Sequence, residues 1–206
     1  LSTSYTSSIF LNVPFDERYK PIFYALIFAI HDCGFVARSA LESDDGSQVR
    51  IEKIYDLIRR CKYGVHDISR TELDAKSKLP RFNMPLELGI FLGAKRYGGQ
   101  RQKTKRALIL DGERYRYQKF CSDIAGQDVR THGNTARGAI RCVRDWLRAC
   151  PDTKGVTLPS TNTIVKRYLA FHRQLPRICR EANLDPDELS FNDYVILAVA
   201  WLRKQA

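Results

Sequence analysis

Several signatures are missing from this 206-residue chain, and each absence removes a class of protein. No apolar run approaches the roughly 18 residues a membrane span needs; the longest greasy stretch, Ile22 to Ile30, is interrupted by Tyr24 and followed by His31 and Asp32. The opening LSTSYTSSIF lacks a basic stretch and an apolar core, so a signal peptide is not expected there. The six cysteines stand singly, with no CxxC, and the four histidines form no HxH or HExxH. A zinc site is therefore not expected, and the thiols read as reduced residues of a cytoplasmic protein. GxGxxG, GxxxxGK[ST] and GxSxG are absent too, which disfavours dinucleotide oxidoreductases, P-loop NTPases and α/β-hydrolases. Asp44-Asp45-Gly46-Ser47 lacks the further carboxylates of a calcium loop.

What is present is ordinary globular composition with a basic surplus. Hydrophobic residues make up 44% and charged residues 28%, enough for a real core, while the net charge is +11. Between Lys95 and Lys119 stand nine basic residues against Asp111 and Glu113. The centre of that stretch, RYGGQRQKTKR, has no apolar periodicity and reads as a loop. It is either a solvated surface or a patch for nucleotide, nucleic acid or an acidic partner; the lack of interleaved stacking aromatics weighs against nucleic acid.

The periodicity alternates. Ser8–Val13 reads as a strand ended by Pro14; a helix capped by Asp16 then repeats Tyr19, Ile22, Phe23, Leu26, Ile27 and Ile30 at spacings of three and four up to Gly34. Phe35–Arg38 is a second strand, followed by a loop and a helix carrying Ile51, Ile54, Tyr55 and Ile58 on one face. Tyr63–Ile68 is a third strand, and a polar loop from Ser69 to Phe82 leads to a helix opened by Asn83. Ala107–Asp111 is a fourth strand, succeeded by Tyr115–Ile124 and a helix over Thr135–Ala149. Such alternation predicts a doubly wound, Rossmann- or flavodoxin-like parallel sheet over residues 1–150, with function at the carboxyl ends of the strands. Residues 151–206 show helical spacing only, over Thr163–Arg173, Leu175–Ala182 and Phe191–Lys204. A helical appendage of that size is expected to pack on the α/β part or on a partner chain.

Within this frame Glu87 is the most informative residue. From Met84 to Ala94 the helix is apolar on every side, which predicts a buried helix, and Glu87 is its only charge. Asn83 suits a cap and Pro85 a first turn, so Glu87 lies near the helix N-terminus, where the helix field favours a carboxylate fit for nucleophilic or oxocarbenium-stabilising work. The competing explanation is an ion pair with Arg50 or Arg81. Asp67, closing the third strand, is the second carboxylate expected in that cleft, binding ribose hydroxyls or else capping loop backbone; Ser69 is placed to reach a phosphate or the sugar. His66 alternates to the other face as a core histidine. In Asn12-Val13-Pro14-Phe15-Asp16, Phe15 is either a stacking surface for a base or a staple on the following helix. Asn12, Asp16, Asn83 and Arg50 complete the candidate substrate-binding set.

A strand ending at Asn12-Val13-Pro14-Phe15, an Asp closing the third strand and Glu87 in Met84-Pro85-Leu86-Glu87-Leu88-Gly89 together resemble the nucleoside 2-deoxyribosyltransferase-like proteins and their relatives, the Toll/interleukin receptor (TIR) domains, over about Ser8 to Leu147. The resemblance implies that Glu87 carries the catalytic carboxylate and that Asp67 matches an acidic sugar-binding residue. It departs where Arg81-Phe82-Asn83-Met84-Pro85 replaces a small-residue loop and where a long basic loop follows the helix. The implied function is an N-glycosidase that splits the base–ribose bond of a nucleotide, NAD first among candidates, with no cofactor beyond that substrate and no metal. Deoxyribosyl transfer and a non-catalytic nucleotide-binding or TIR-type interaction module are the alternatives. A bacterial antiphage defence effector, acting as a homo-oligomer or with a partner protein of its defence system, is the setting the resemblance implies.

Overall fold

The computed structural model describes residues 4–71 and 78–205. Five parallel strands form one sheet: β1 (Ser8–Asn12), β2 (Val36–Arg38), β3 (Tyr63–Asp67), β4 (Arg106–Asp111) and β5 (Val129–Thr131), in the order β2-β1-β3-β4-β5. Strand order reverses between β1 and β3, the point at which open α/β sheets receive ligands. The expected doubly wound α/β architecture is therefore what the chain adopts.

Right-handed crossovers decide which helix covers which face. Helices α1 (Lys20–Asp32) and α5 (Ala136–Arg148) lie on one side, α2 (Arg50–Arg60) and α3 (Asn83–Tyr97) on the other. Strand alternation follows suit: Ile9, Leu11, Tyr63 and Val65 face α1, whereas Phe10 faces α2 and α3. Helix α1 is apolar all round because it is covered all round; Ile22 through His31 are buried.

The covering comes from the C-terminal region. Helix α6 (Thr161–Glu181) packs on α1 and α5, and α7 (Phe191–Arg203) packs on α1. Tyr24 of α1 stacks on Tyr194 of α7 with centroids 3.9 Å apart, and Ile164, Phe171 and Trp201 belong to the same core as the sheet. Serine caps start both helices: Ser160 accepts from Thr163 N–H, and Ser190 forms a capping box with Asp193. No helix among the described residues is long and apolar enough to cross a membrane.

Four local expectations are corrected. A break before Leu175 does not occur, for α6 runs through Pro176; Phe171, Leu175 and Cys179 bury one stripe at four-residue spacing, which outweighs the roughly 3 kcal/mol cost of an interior proline. Strand β5 was not anticipated, being three half-buried residues and too short to show alternation. Helix α3 is not a buried helix: only Glu87, Leu88 and Phe91 are buried, while Leu86 is 57% exposed. Finally, the basic stretch is not one loop or one patch. Lys95 and Arg96 end α3, Arg101 and Lys103 sit on the short α4 (Gln100–Lys103), and β4 then carries the chain across the sheet before Arg114 and Arg116. Lys105 is itself buried, its Nζ donating to the carbonyls of Ile58 and Cys61 at the end of α2 and lying 4.6 Å from the Phe91 ring centre. The polar loop expected over Ser69–Phe82 falls partly on residues 72–77, outside the described residues.

Candidate functional site at the carboxyl edge of the sheet

Asn12, the last residue of β1, organises the α3 side. Its Nδ2 donates to the Met84 carbonyl at 2.8 Å and lies 3.0 Å from His66 Nδ1, tying the ends of β1 and β3 to the first turn of α3. His66 is fully buried against Phe10 and Phe91, as a core histidine on that face. Burial and the nearby Lys105 charge depress it to about 3. Asn12 Oδ1 and His66 Nε2 have no hydrogen-bond partner among the described residues, an unusual concentration of orphaned polar atoms behind one helix terminus.

Glu87 sits on this side, 7% exposed, and makes no ion pair or hydrogen bond among the described residues. The alternative of a salt bridge to Arg50 or Arg81 is thus not what the side chain adopts. Burial lifts its carboxyl to about 7, against a smaller downward pull from Arg50, the first residue of α2. Desolvation outweighs the helix field here, so near neutrality Glu87 is divided between acid and carboxylate instead of being held ionised. Asn83 does not cap α3; it is the first helical residue, Phe82 holds the cap position, and no side-chain cap bond forms.

Asp67 belongs to the other side. The two-residue strand repeat points it toward α1, with Tyr63 and Val65. It is completely buried, accepting from Tyr19 Oη at 2.5 Å and from Ser69 N–H at 2.8 Å. His132 Nε2 approaches its Oδ2 to 3.0 Å, out of line for a hydrogen bond. Because His132 Nδ1 accepts from Asn134 N–H at 3.0 Å, the ring proton is on Nε2. Asp67 and Glu87 therefore do not converge in one cleft.

What converges instead is three arginines and one acid. A cavity of about 350 Å³ at the carboxyl edge is lined by Arg18, Tyr19, Ser69, Arg70, Glu113 and Arg116, among others. Ser69 is 5% exposed and its Oγ has no partner among the described residues. Arg116 is fixed from behind: Nε donates to Asp111 at 2.8 Å, Nη1 to Thr71 at 3.0 Å and Nη2 to the Ile68 carbonyl at 2.7 Å. Arg70 bonds Asp16 at 2.9 Å. Asp16 also receives Tyr19 N–H at 3.1 Å, so it caps the turn preceding α1; burial acts upward on its carboxyl, but Arg70 and the backbone donors hold it below the ordinary value.

Phe15 and Asp16 line a different cavity, of about 290 Å³, with Phe23, Tyr24 and, from the C-terminal region, Asp187, Glu188 and Phe191. Phe15 is 39% exposed and meets Phe23 edge-to-face at 5.5 Å, the staple-like contact with the helix. Sequence reasoning overlooked Tyr19, Arg70, Arg116 and His132 as site residues. Their only signal is position, each directly following the carboxyl end of a strand or opening the next helix.

Comparison of the chain with family models, with curated proteins and with solved structures finds no match. The carboxyl-edge geometry therefore carries the functional argument by itself. Among the described residues no three His, Cys, Asp or Glu side chains cluster as a metal site would require.

Proposed function

We propose that this protein binds a nucleotide over the carboxyl edge of its sheet and cleaves the bond between base and ribose, with NAD as the leading substrate and Glu87 as the catalytic carboxyl. The observation that carries the reading is Glu87 itself, a buried carboxyl with neither cation nor hydrogen bond among the described residues, titrating at about 7 on the helix that follows β3. A protein keeps such a group at a cost of several kcal/mol, and catalytic sites are where that cost is commonly met. The arginine-lined cavity supports a phosphate-bearing ligand, since guanidinium groups and a serine hydroxyl without a partner among the described residues suit phosphoryl oxygens.

In this reading the ionised carboxylate stabilises the oxocarbenium-like sugar as the base departs. Nicotinamide leaves NAD as a neutral molecule and needs no proton, so NAD cleavage should rise with pH through about 7. A nucleoside base that must be protonated on departure would give the opposite limb. Chromatography of the base released from NAD and, separately, from deoxynucleosides tests the proposal. Glu87→Gln should lower the rate by several orders of magnitude. Release that Glu87→Gln leaves unchanged would refute Glu87's role, and no release from either substrate would refute the enzyme.

A non-catalytic nucleotide-binding module is the second reading. The engagement of Asp67 by Tyr19 and Ser69, on the side of the sheet away from Glu87, favours it. Nucleotide binding without base release would be its mark.

A further inference from the structure

The second large cavity at this edge is lined by Arg114, His132, Thr135, Arg137 and Arg141 among others, and none of its lining residues is acidic. Its volume, about 550 Å³, falls in the roughly 300–1,000 Å³ range of small-ligand sites. Three arginines border it, and none forms an ion pair among the described residues. Arg137 donates to Asn162 Oδ1, and Arg114 lies over the Tyr115 ring. Three unneutralised guanidinium groups around one concavity repel one another, an arrangement that an anion relieves.

The backbone adds to this charge. Thr135 Oγ1 caps α5 by accepting from Gly138 N–H, and the Thr135 carbonyl takes Ala139 N–H. The Ala136 and Arg137 N–H groups have no acceptor inside the helix, and the positive end of thirteen aligned peptides faces the cavity. His132 also lines the cavity, but it serves as wall and not as ligand donor: its Nδ1 accepts from Asn134 N–H and its Nε2 lies 3.0 Å from Asp67 Oδ2.

We infer that this cavity is a phosphoryl site, for a diphosphate or the diphosphate portion of a nucleotide, held by Arg114, Arg141 and the α5 N-terminus. The inference is independent of any glycosidase activity, because inorganic diphosphate has no glycosidic bond. It also adds to the Arg18–Arg70–Arg116 cavity, from which it is separated by Gly112 and the His132–Asn134 turn, residues that line one or both.

Titration calorimetry at about 0.15 M salt, where long-range surface attraction is largely screened, uses inorganic pyrophosphate as the probe. The wild type should bind it. Arg114→Gln combined with Arg141→Gln should weaken binding about tenfold or more, through loss of charge-assisted hydrogen bonds. Lys95→Gln combined with Arg96→Gln removes the same charge from the far end of α3 and should leave affinity within about twofold. All four side chains are exposed, so folding is not at stake. ADP and adenosine form the second arm. Competition by ADP but not adenosine assigns the site to a nucleotide diphosphate, and pyrophosphate binding without ADP competition assigns it to the free anion. Absence of pyrophosphate binding, equal weakening in both double variants, or competition by adenosine would overturn the inference, as would binding of duplex nucleic acid in the absence of pyrophosphate binding.

Discussion

The Tyr19 hydroxyl donates to the Asp67 carboxylate at 2.5 Å, joining the turn that opens α1 to the end of β3 inside a fully buried space. Burial and the Asp67 charge push the Tyr19 phenol well above its usual range, so it remains a donor at every pH the fold survives. Removing either partner strands a buried polar group. Tyr19→Phe should cost about 1–3 kcal/mol, and a double-mutant cycle with Asp67→Asn should show coupling of similar size in urea unfolding. Additive effects of the two substitutions would mean the contact contributes nothing specific.

Glu87 should leave a signature in stability as well as in rate. Its folded value of about 7 lies above the ordinary glutamate value of 4.5. The folded state therefore holds a proton the unfolded chain releases, and the sign follows. The stabilising contribution is complete below about pH 4.5 and is lost as pH rises toward 7, in total about 3 kcal/mol. Glu87→Gln has no such titration. Relative to wild type it should gain stability between pH 4 and pH 8, read as diverging urea midpoints. A constant difference across that range would show that the carboxyl is partnered in solution.

Gly64 is a tight position on the α3 side of the sheet. A β-carbon there would meet His66 Nε2 at 2.5 Å and Phe91 Cε2 at 2.8 Å, and both rings are packed. Gly64→Ala should destabilise by about 1–3 kcal/mol through overpacking. It should also disturb the Asn12–His66–Met84 linkage that seats α3, so nucleotide affinity should fall with it. Unchanged thermal unfolding would show that this face yields more readily than its packing implies.

Three histidines give acid sensitivity of the opposite sign. Burial depresses His31 to about 4 and His172 to about 4; for His66 burial and Lys105 together reach about 3. The unfolded chain protonates all three near pH 6.5, before the folded state does, so stability present above that value is lost as pH falls toward 4. Proton uptake on unfolding, followed by calorimetry in buffers of different ionisation enthalpy, should be largest near pH 5. A replacement such as His172→Gln should reduce it, and no reduction would mean that this imidazole is accessible when folded.

How much of this was legible in the residues depends on range. Strands β1 to β4 and their helices were readable because burial on both faces leaves apolar runs, and α2 and α5 show a clear apolar stripe. The isolation of Glu87 as the single charge of an apolar stretch is visible in the same patterns. What pattern alone does not reveal is pairing across the chain. Asp67 looks free to meet a ligand until Tyr19 arrives from 48 residues away, and Arg116 looks like part of a basic run until Asp111, Thr71 and Ile68 fix it. The misjudged burial of α3 has a simple cause: apolar composition reports what a helix is able to bury, and α3 has a sheet on one side only.

The stacking of Tyr24 on Tyr194 has a consequence for how the chain acquires its shape during synthesis. Helix α1 emerges from the ribosome with aromatic and aliphatic groups on all sides, yet the surface that covers one flank is translated some 160 residues later. At about 5–20 residues per second, that flank stays open to water for roughly 10–30 seconds. An apolar flank exposed for that long is the kind of surface holdase chaperones cover, and chains released before α7 would be the fraction expected to aggregate.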